Sequence, residues 1–180
     1  MAVDYVARIS RADTTELSRM LDDLSARRPI RGWASGKAFE YIILRGFFLE
    51  GAEVRWPFEV REGRHTIEQI DGAVYCDGLF CLVESKDYSE AINVEPVTKL
   101  RSQLQRRPAG TLGLIFARSG FTPSAKYLVK THAPLNVLLW EFEELRTAIV
   151  DQRMRSALRT KFRYAVEQAL PDYNIERGYR

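Results

Sequence analysis

Apolar positions recur along this chain with two alternating periods, which predicts an α/β fold. Helical spacing predicts five helices, near residues 14–26, 35–51, 94–107, 123–131 and 141–170. Short alternating or continuous apolar runs predict five strands, at residues 53–61, 66–75, 79–86, 111–117 and 137–140. A three-stranded meander therefore precedes a crossover helix and further strands. This order predicts a mixed central sheet flanked by helices on both faces.

Segment 69–86 is predicted to form a β-hairpin that carries reactive residues near its open end. Asp77-Gly78 lies between two alternating apolar runs, which is typical of a two-residue hairpin turn. With that turn, Asp71 lies directly opposite Glu84. Facing carboxylates repel each other, whereas a divalent cation between them would make the pair attractive. Lys86 returns to the face of Glu84, so its ammonium group is expected at the same point.

Asp71 followed by Glu84, Ser85 and Lys86 resembles the motif of the PD-(D/E)xK nuclease superfamily, with Ile70 at the position of the motif's proline. The resemblance implies a restriction-endonuclease-like αβββαβ core. It also implies that Asp71 and Glu84 bind Mg²⁺, for which Mn²⁺ would substitute, and that Ser85 adds its backbone carbonyl. Lys86 would position or activate the attacking water.

Two further residues are candidates for this site. Glu40 falls beside the apolar stripe of its predicted helix, where carboxylates are rarely left unpaired. In many nucleases of the superfamily a glutamate on this helix points at the metal, so the resemblance implies that Glu40 is a third ligand. The alternative is a pairing with Lys37 or Arg45. Gln69 would lie opposite Lys86 in the hairpin and could orient it.

The charged residues are segregated along the sequence. Residues 40–84 contain nine acids and four arginines, whereas residues 96–140 contain seven basic residues and no acid. A block that could hold a metal is thus followed by a block that could bind phosphate groups, although a solvated basic face is the alternative. The candidate nucleic-acid contacts are the following polar residues: Lys99, Arg101, Gln103, Arg106, Arg107, Arg118, Ser119 and Lys126. The loop 118–122 resembles the loop after the equivalent strand in Mrr-like restriction endonucleases.

The composition is that of a soluble protein. Of the 180 residues, 46% are hydrophobic and 28% charged, and no apolar run approaches the length of a membrane span. The first residues show no signal-peptide core, so we expect a cytoplasmic protein with no membrane partner. Three regions are predicted: an N-terminal helical extension at 1–34, a nuclease core at 35–140, and a long C-terminal helix and tail at 141–180. That last helix would pack on the core or form the interface of a homodimer.

The predicted function is that of a Mg²⁺-dependent endonuclease that hydrolyses DNA phosphodiester bonds, in restriction and defence or in DNA processing. A structure-specific nuclease similar to archaeal Holliday-junction resolvases is one alternative. A non-catalytic domain of the same fold that binds nucleic acid or a partner protein is another. The residues alone do not distinguish DNA from RNA.

Overall fold

A five-stranded mixed sheet forms the centre of the protein. The computed structural model describes residues 4–177. In spatial order, the strands of the sheet are β1 (Glu53–Arg55), β4 (Gly72–Cys76), β5 (Leu79–Lys86), β6 (Leu112–Ala117) and β7 (Val137–Glu141). The pairs β1–β4 and β4–β5 are antiparallel, and β5–β6 and β6–β7 are parallel. Strands β2 (Phe58–Glu62) and β3 (His65–Ile70) form a separate antiparallel ribbon.

Helices cover both faces of the sheet, as predicted. The helices are α1 (Tyr5–Ile9), α2 (Thr14–Ser25), α3 (Lys37–Leu49), α4 (Val94–Leu104), α5 (Pro123–Thr131), α6 (Phe142–Val150) and α7 (Met154–Gln168). Helices α1, α2, α3, α6 and α7 share one apolar core with the sheet, and α4 and α5 share another. The strands alternate between the two cores: in β7, Trp140 packs into the first and Leu139 into the second. No helix between residues 4 and 177 has both the length and the apolar character that a membrane span requires.

Local side-chain bonds explain where several helices begin. Asp13 accepts a hydrogen bond from the Glu16 amide and so caps α2. Asn93 accepts one from the Glu95 amide at the start of α4. Such caps satisfy amides that have no partner within the helix. These helices consequently begin where the sequence predicts.

The prediction of one long C-terminal helix over residues 141–170 is wrong. Helix α6 ends at Val150 and α7 begins at Met154, with Gln152 at φ 51° between them. The carboxylate of Glu50, at the end of α3, accepts hydrogen bonds from the amides of Met154 and Arg155. A distant side chain therefore caps the second helix, which apolar periodicity cannot reveal.

The predicted hairpin register is confirmed between residues 72 and 83, where Cys76 pairs with Leu79 and Gly72 with Val83. The predicted first strand of that hairpin, however, bends at Asp71, because residues 65–70 pair with β2 instead. Gln69 lies opposite Glu59 in that ribbon. The prediction that Gln69 faces and orients Lys86 is therefore wrong.

Candidate active site

Asp71 is held against the backbone of β5. The regular pairing of β4 with β5 ends at Gly72 and Val83, and Asp71 lies in the bend just beyond it. Its Oδ2 atom accepts hydrogen bonds from the Ser85 amide at 2.7 Å and from the Ser85 hydroxyl at 3.0 Å. Asp71 thus reaches the end of β5 as predicted, but bonds to Ser85 rather than forming a regular pair with Glu84.

Glu84 is a buried carboxylate between two lysines. Its side chain is 1% exposed and accepts hydrogen bonds from Lys86 and, at 3.0 Å, from Lys99 of α4. Burial lowers the pKa of Lys86, but attraction to Glu84 and Asp71 outweighs it, so this pKa is raised above its ordinary value. Lys86 is therefore an ammonium ion at neutral pH. With 16% of its side chain exposed, it is also largely shielded from water.

Glu40 brings a third carboxylate to the same region from α3. Its side chain is buried and accepts hydrogen bonds from Lys37 at 2.8 and 3.0 Å. Burial raises the pKa of Glu40 to about 7, the hydrogen bond to Lys37 opposes this rise, and repulsion by Asp71 and Glu84 adds to it. Glu40 therefore pairs with Lys37 and is repelled by the charges of Asp71 and Glu84.

The donor chemistry of this region suits a hard divalent cation. Three carboxylates and the Ser85 carbonyl provide only oxygen atoms, which Mg²⁺ and Mn²⁺ prefer. As placed, however, no group of three or more His, Cys, Asp or Glu side chains within residues 4–177 is arranged to hold a metal. Ammonium groups lie on the acids instead. Lys37 and Lys99 are 43% and 50% exposed, so both can turn into solvent and free carboxylate oxygens for a cation.

The pKa of Glu40 makes stability depend on pH. Because this pKa is raised above 4.5, protonated Glu40 is favoured in the folded state relative to the unfolded state. The resulting contribution to the free energy of unfolding is complete below pH 4.5 and is lost as pH rises through about 7. In EDTA, wild type should lose about 3 kcal/mol of unfolding free energy relative to Glu40→Gln between pH 4 and pH 8. Urea unfolding at several pH values measures this difference. The exposed variant Glu143→Gln should follow wild type, and a pH-independent difference for Glu40→Gln would contradict the expectation.

Several of the predicted DNA contacts are bonded within the protein. Arg106 and Arg107 both pair with the buried carboxylate of Glu68. Arg101 donates to the backbone carbonyls of Leu128 and His132, at the end of α5. These three arginines join elements of the fold, and of their side chains that of Arg106 is half exposed.

Most of the remaining predicted contacts are also bonded within the protein. Arg118 pairs with Asp87, Ser119 donates to the Tyr88 carbonyl at 2.6 Å, and Lys126 pairs with Glu141. Gln103 is buried and donates to the Gln69 carbonyl at 3.4 Å; within residues 4–177 its Oε1 atom has no hydrogen-bond partner. Lys99, Gln103 and Arg106 line one cavity of about 490 Å³ between β3 and α4. A role in binding nucleic acid stays a prediction for all of these residues.

The sequence did not identify the contact of Lys99 with Glu84, whereas the pairing of Glu40 with Lys37 is one of the alternatives that it offered. The sequence places Lys99 in the basic block of residues 96–140, yet in the fold it is a direct partner of Glu84. The contact joins α4 to β5 across 15 positions of the chain, so no local pattern marks it. Lys37 bonds Glu40 at a spacing of three residues, which helical geometry does suggest.

The model of the Mrr_cat family, described as restriction endonuclease, matches residues 33–149. A solved protein of unknown function, AF1548, is 14% identical with a TM-score of 0.50, over 73% of this chain and 77% of that one. The restriction endonuclease MspJI in complex with a 27-mer oligonucleotide is 16% identical (TM-score 0.45), and the DNA modification-dependent restriction endonuclease AspBHI is 15% identical (TM-score 0.43). These two alignments cover 89% and 83% of this chain but 38% and 41% of MspJI and AspBHI, so the chain spans less than half of their lengths. No curated protein matches. Because the family match extends over more than half of its residues, the chain belongs to the Mrr_cat restriction endonuclease family.

Proposed function

We propose that this protein is an endonuclease that hydrolyses DNA phosphodiester bonds with Mg²⁺, or with Mn²⁺ in its place. One observation carries the proposal: Asp71 and the ion pair of Glu84 with Lys86 lie together at the end of β5, and Glu40 of α3 is close enough for the charges of both acids to raise its pKa. Family membership supports the reaction class. A role in restriction or DNA processing is part of the same proposal.

Asp71, Glu84, Glu40 and the Ser85 carbonyl would hold the metal. When bound there, a divalent cation would polarise the scissile phosphate and lower the pKa of a bound water. The Ser85 amide and hydroxyl keep the Asp71 carboxylate in a fixed orientation. That orientation favours binding because little side-chain freedom remains to be lost.

Lys86 supplies positive charge to the reacting group. Attraction to Glu84 and Asp71 raises the pKa of Lys86, which favours the protonated form that donates hydrogen bonds. Its burial makes this charge more effective, because electrostatic interactions strengthen where water is excluded. Lys86 would orient the attacking water and stabilise the negative charge that develops on the phosphate oxygens.

The first test is cleavage of supercoiled plasmid with Mg²⁺, Mn²⁺ or EDTA. Wild type should nick the plasmid with either metal and not in EDTA. Lys86→Ala should lower the rate about a hundredfold, the cost of removing one donor to developing charge. Lys86→Arg keeps the charge and should retain more activity than Lys86→Ala. Gel densitometry of the nicked and linear forms gives the rates.

Equal rates for wild type and Lys86→Ala, or cleavage that persists in EDTA, would contradict the proposed site. A four-way DNA junction and an RNA duplex belong in the same assay, because the site does not choose among these substrates. A wild type that cleaves none of them would favour the non-catalytic, binding alternative.

A further inference from the structure

A cavity of about 300 Å³ lies beside the proposed active site, between the loop that joins α2 to α3 and the end of β5. Its lining includes Arg27, Arg28, Trp33, Gly36, Asp87 and Arg118. The cavity adjoins the site at two points of the chain. Asp87 directly follows Lys86, and Gly36 directly precedes Lys37, the partner of Glu40. The lining of the cavity thus includes the chain neighbours of two site residues, but none of the three carboxylates.

The wall formed by the α2–α3 loop is positively charged. Residues 26–36 contain three arginines and no acid. Arg28 pairs with Asp23 at 2.7 Å, and Arg118 pairs with Asp87. Arg27 instead donates to the Ser89 carbonyl at 3.3 Å, and between residues 4 and 177 no carboxylate lies within salt-bridge distance of it. Its charge is thus left for a ligand.

Arg27 occupies a backbone position at the end of α2 that glycine usually takes. The Arg28 amide donates to the Asp23 carbonyl and the Arg27 amide to the Leu24 carbonyl, which closes the end of α2. Arg27 occupies the left-handed position of this motif, at φ 55°, where glycine is the usual residue. An arginine there carries a backbone strain that glycine would not, as do Asp77, Gln152 and Ala169 at φ 51–52° elsewhere in the chain.

We propose that the cavity is a subsite for a backbone phosphate of the DNA strand that enters the active site, with Arg27 as its main contact. This inference rests on the proposed function and adds a substrate-binding role for residues before the family match, which begins at residue 33. Arg28 also lines the cavity, although its charge is paired with Asp23. At the start of α3, the Lys37 amide donates to the Ala34 carbonyl, but the cap residue Gly36 has no side chain to bond the next two amides, so these can face the same anion.

Binding without cleavage tests the subsite separately from the reaction. Fluorescence anisotropy of a labelled DNA duplex, in EDTA and over a series of NaCl concentrations, gives Kd and its salt dependence. Arg27→Gly should weaken binding about fivefold and lower the slope of log Kd against log salt by about one, as the loss of one phosphate contact requires. Arg27→Lys should keep the slope. Arg159→Ala removes an exposed arginine on α7 and should bind like wild type.

Arg27→Gly also separates binding from folding. Glycine adopts φ 55° without steric cost, so the variant should melt no lower than wild type despite losing the bond to Ser89. Unchanged DNA affinity in Arg27→Gly, or an equal loss in Arg159→Ala, would overturn the subsite and leave the proposed nuclease intact. A wild type that binds no DNA would overturn the subsite together with the choice of DNA as substrate.

Discussion

Asp71→Asn should abolish nearly all cleavage while leaving the fold at least as stable as that of wild type. Asparagine has the same shape, and its side-chain oxygen can still accept the two hydrogen bonds from Ser85. The lost negative charge removes one source of repulsion on Glu40. It also removes a proposed metal ligand. A metal contributes several kcal/mol to such a transition state, and a loss of about 4 kcal/mol corresponds to a rate about a thousandfold lower.

Three measurements together decide this expectation. Plasmid nicking at saturating Mg²⁺ gives the rate, the melting temperature in EDTA gives the stability, and the increase in melting temperature on adding Mg²⁺ reports metal binding. Asp71→Asn should lose the nicking activity and the increase in melting temperature on adding Mg²⁺. Asp77→Asn is the matched control at the far end of the same hairpin, where asparagine suits the turn geometry at φ 52°. Full activity in Asp71→Asn would show that Asp71 is not a metal ligand of the nuclease. A wild type without cleavage, together with a raised melting temperature in Asp71→Asn, would support a domain that binds without catalysis.

Lys161→Ala should destabilise the protein by about 3 to 5 kcal/mol, because it would leave a buried carboxylate without its partner. Lys161 of α7 is 0% exposed and Glu144 of α6 is 1% exposed. The ammonium group donates to Glu144 and to the Tyr173 carbonyl, and it lies 5.0 Å from the centre of the Trp140 ring. Burial raises the pKa of Glu144 and lowers that of Lys161, while their attraction opposes both shifts. A loss of this size is a large part of the stability of an ordinary domain.

Urea unfolding of three proteins measures this effect. Wild type and Lys161→Ala give the cost of breaking the pair. The double variant Lys161→Met with Glu144→Gln removes both charges at similar volume, so it should recover much of the lost stability. If the free energy of unfolding of Lys161→Ala lies within 1 kcal/mol of the wild-type value, the Lys161–Glu144 pair does not hold α6 and α7 together. A double variant that is no more stable than Lys161→Ala would also contradict this expectation.

The hairpin shows which part of the site was predictable. The register of β4 against β5 follows from Asp77-Gly78 and from the alternation beside it, all of which are local signals. The bend at Asp71 arises because residues 65–70 pair with β2, the strand just before them, so two neighbouring hairpins compete for the segment that precedes Asp71. The sequence therefore predicted the register that brings Asp71 to the end of β5, but not its bond to Ser85.

The basic block shows what charge counting misses. Net charge along the sequence suggested a phosphate-binding surface over residues 96–140, but Arg107, Arg118 and Lys126 each have an acid as a partner in the fold. Those acids come from other segments of the chain. Arg27 and Arg28 lie in a shorter and less conspicuous stretch, and the cavity that they line is visible only in the fold.

The ammonium groups of Lys37 and Lys99 act as counter-ions to Glu40 and Glu84 when no metal is bound. Loading a divalent cation would then be an ion exchange, in which the Lys37 and Lys99 ammonium groups leave the acids as the cation arrives. The displaced ammonium groups would stand at the rim of the site, where an incoming nucleic-acid strand carries negative charge. Metal and substrate would thus bind cooperatively, since each lowers the cost of admitting the other.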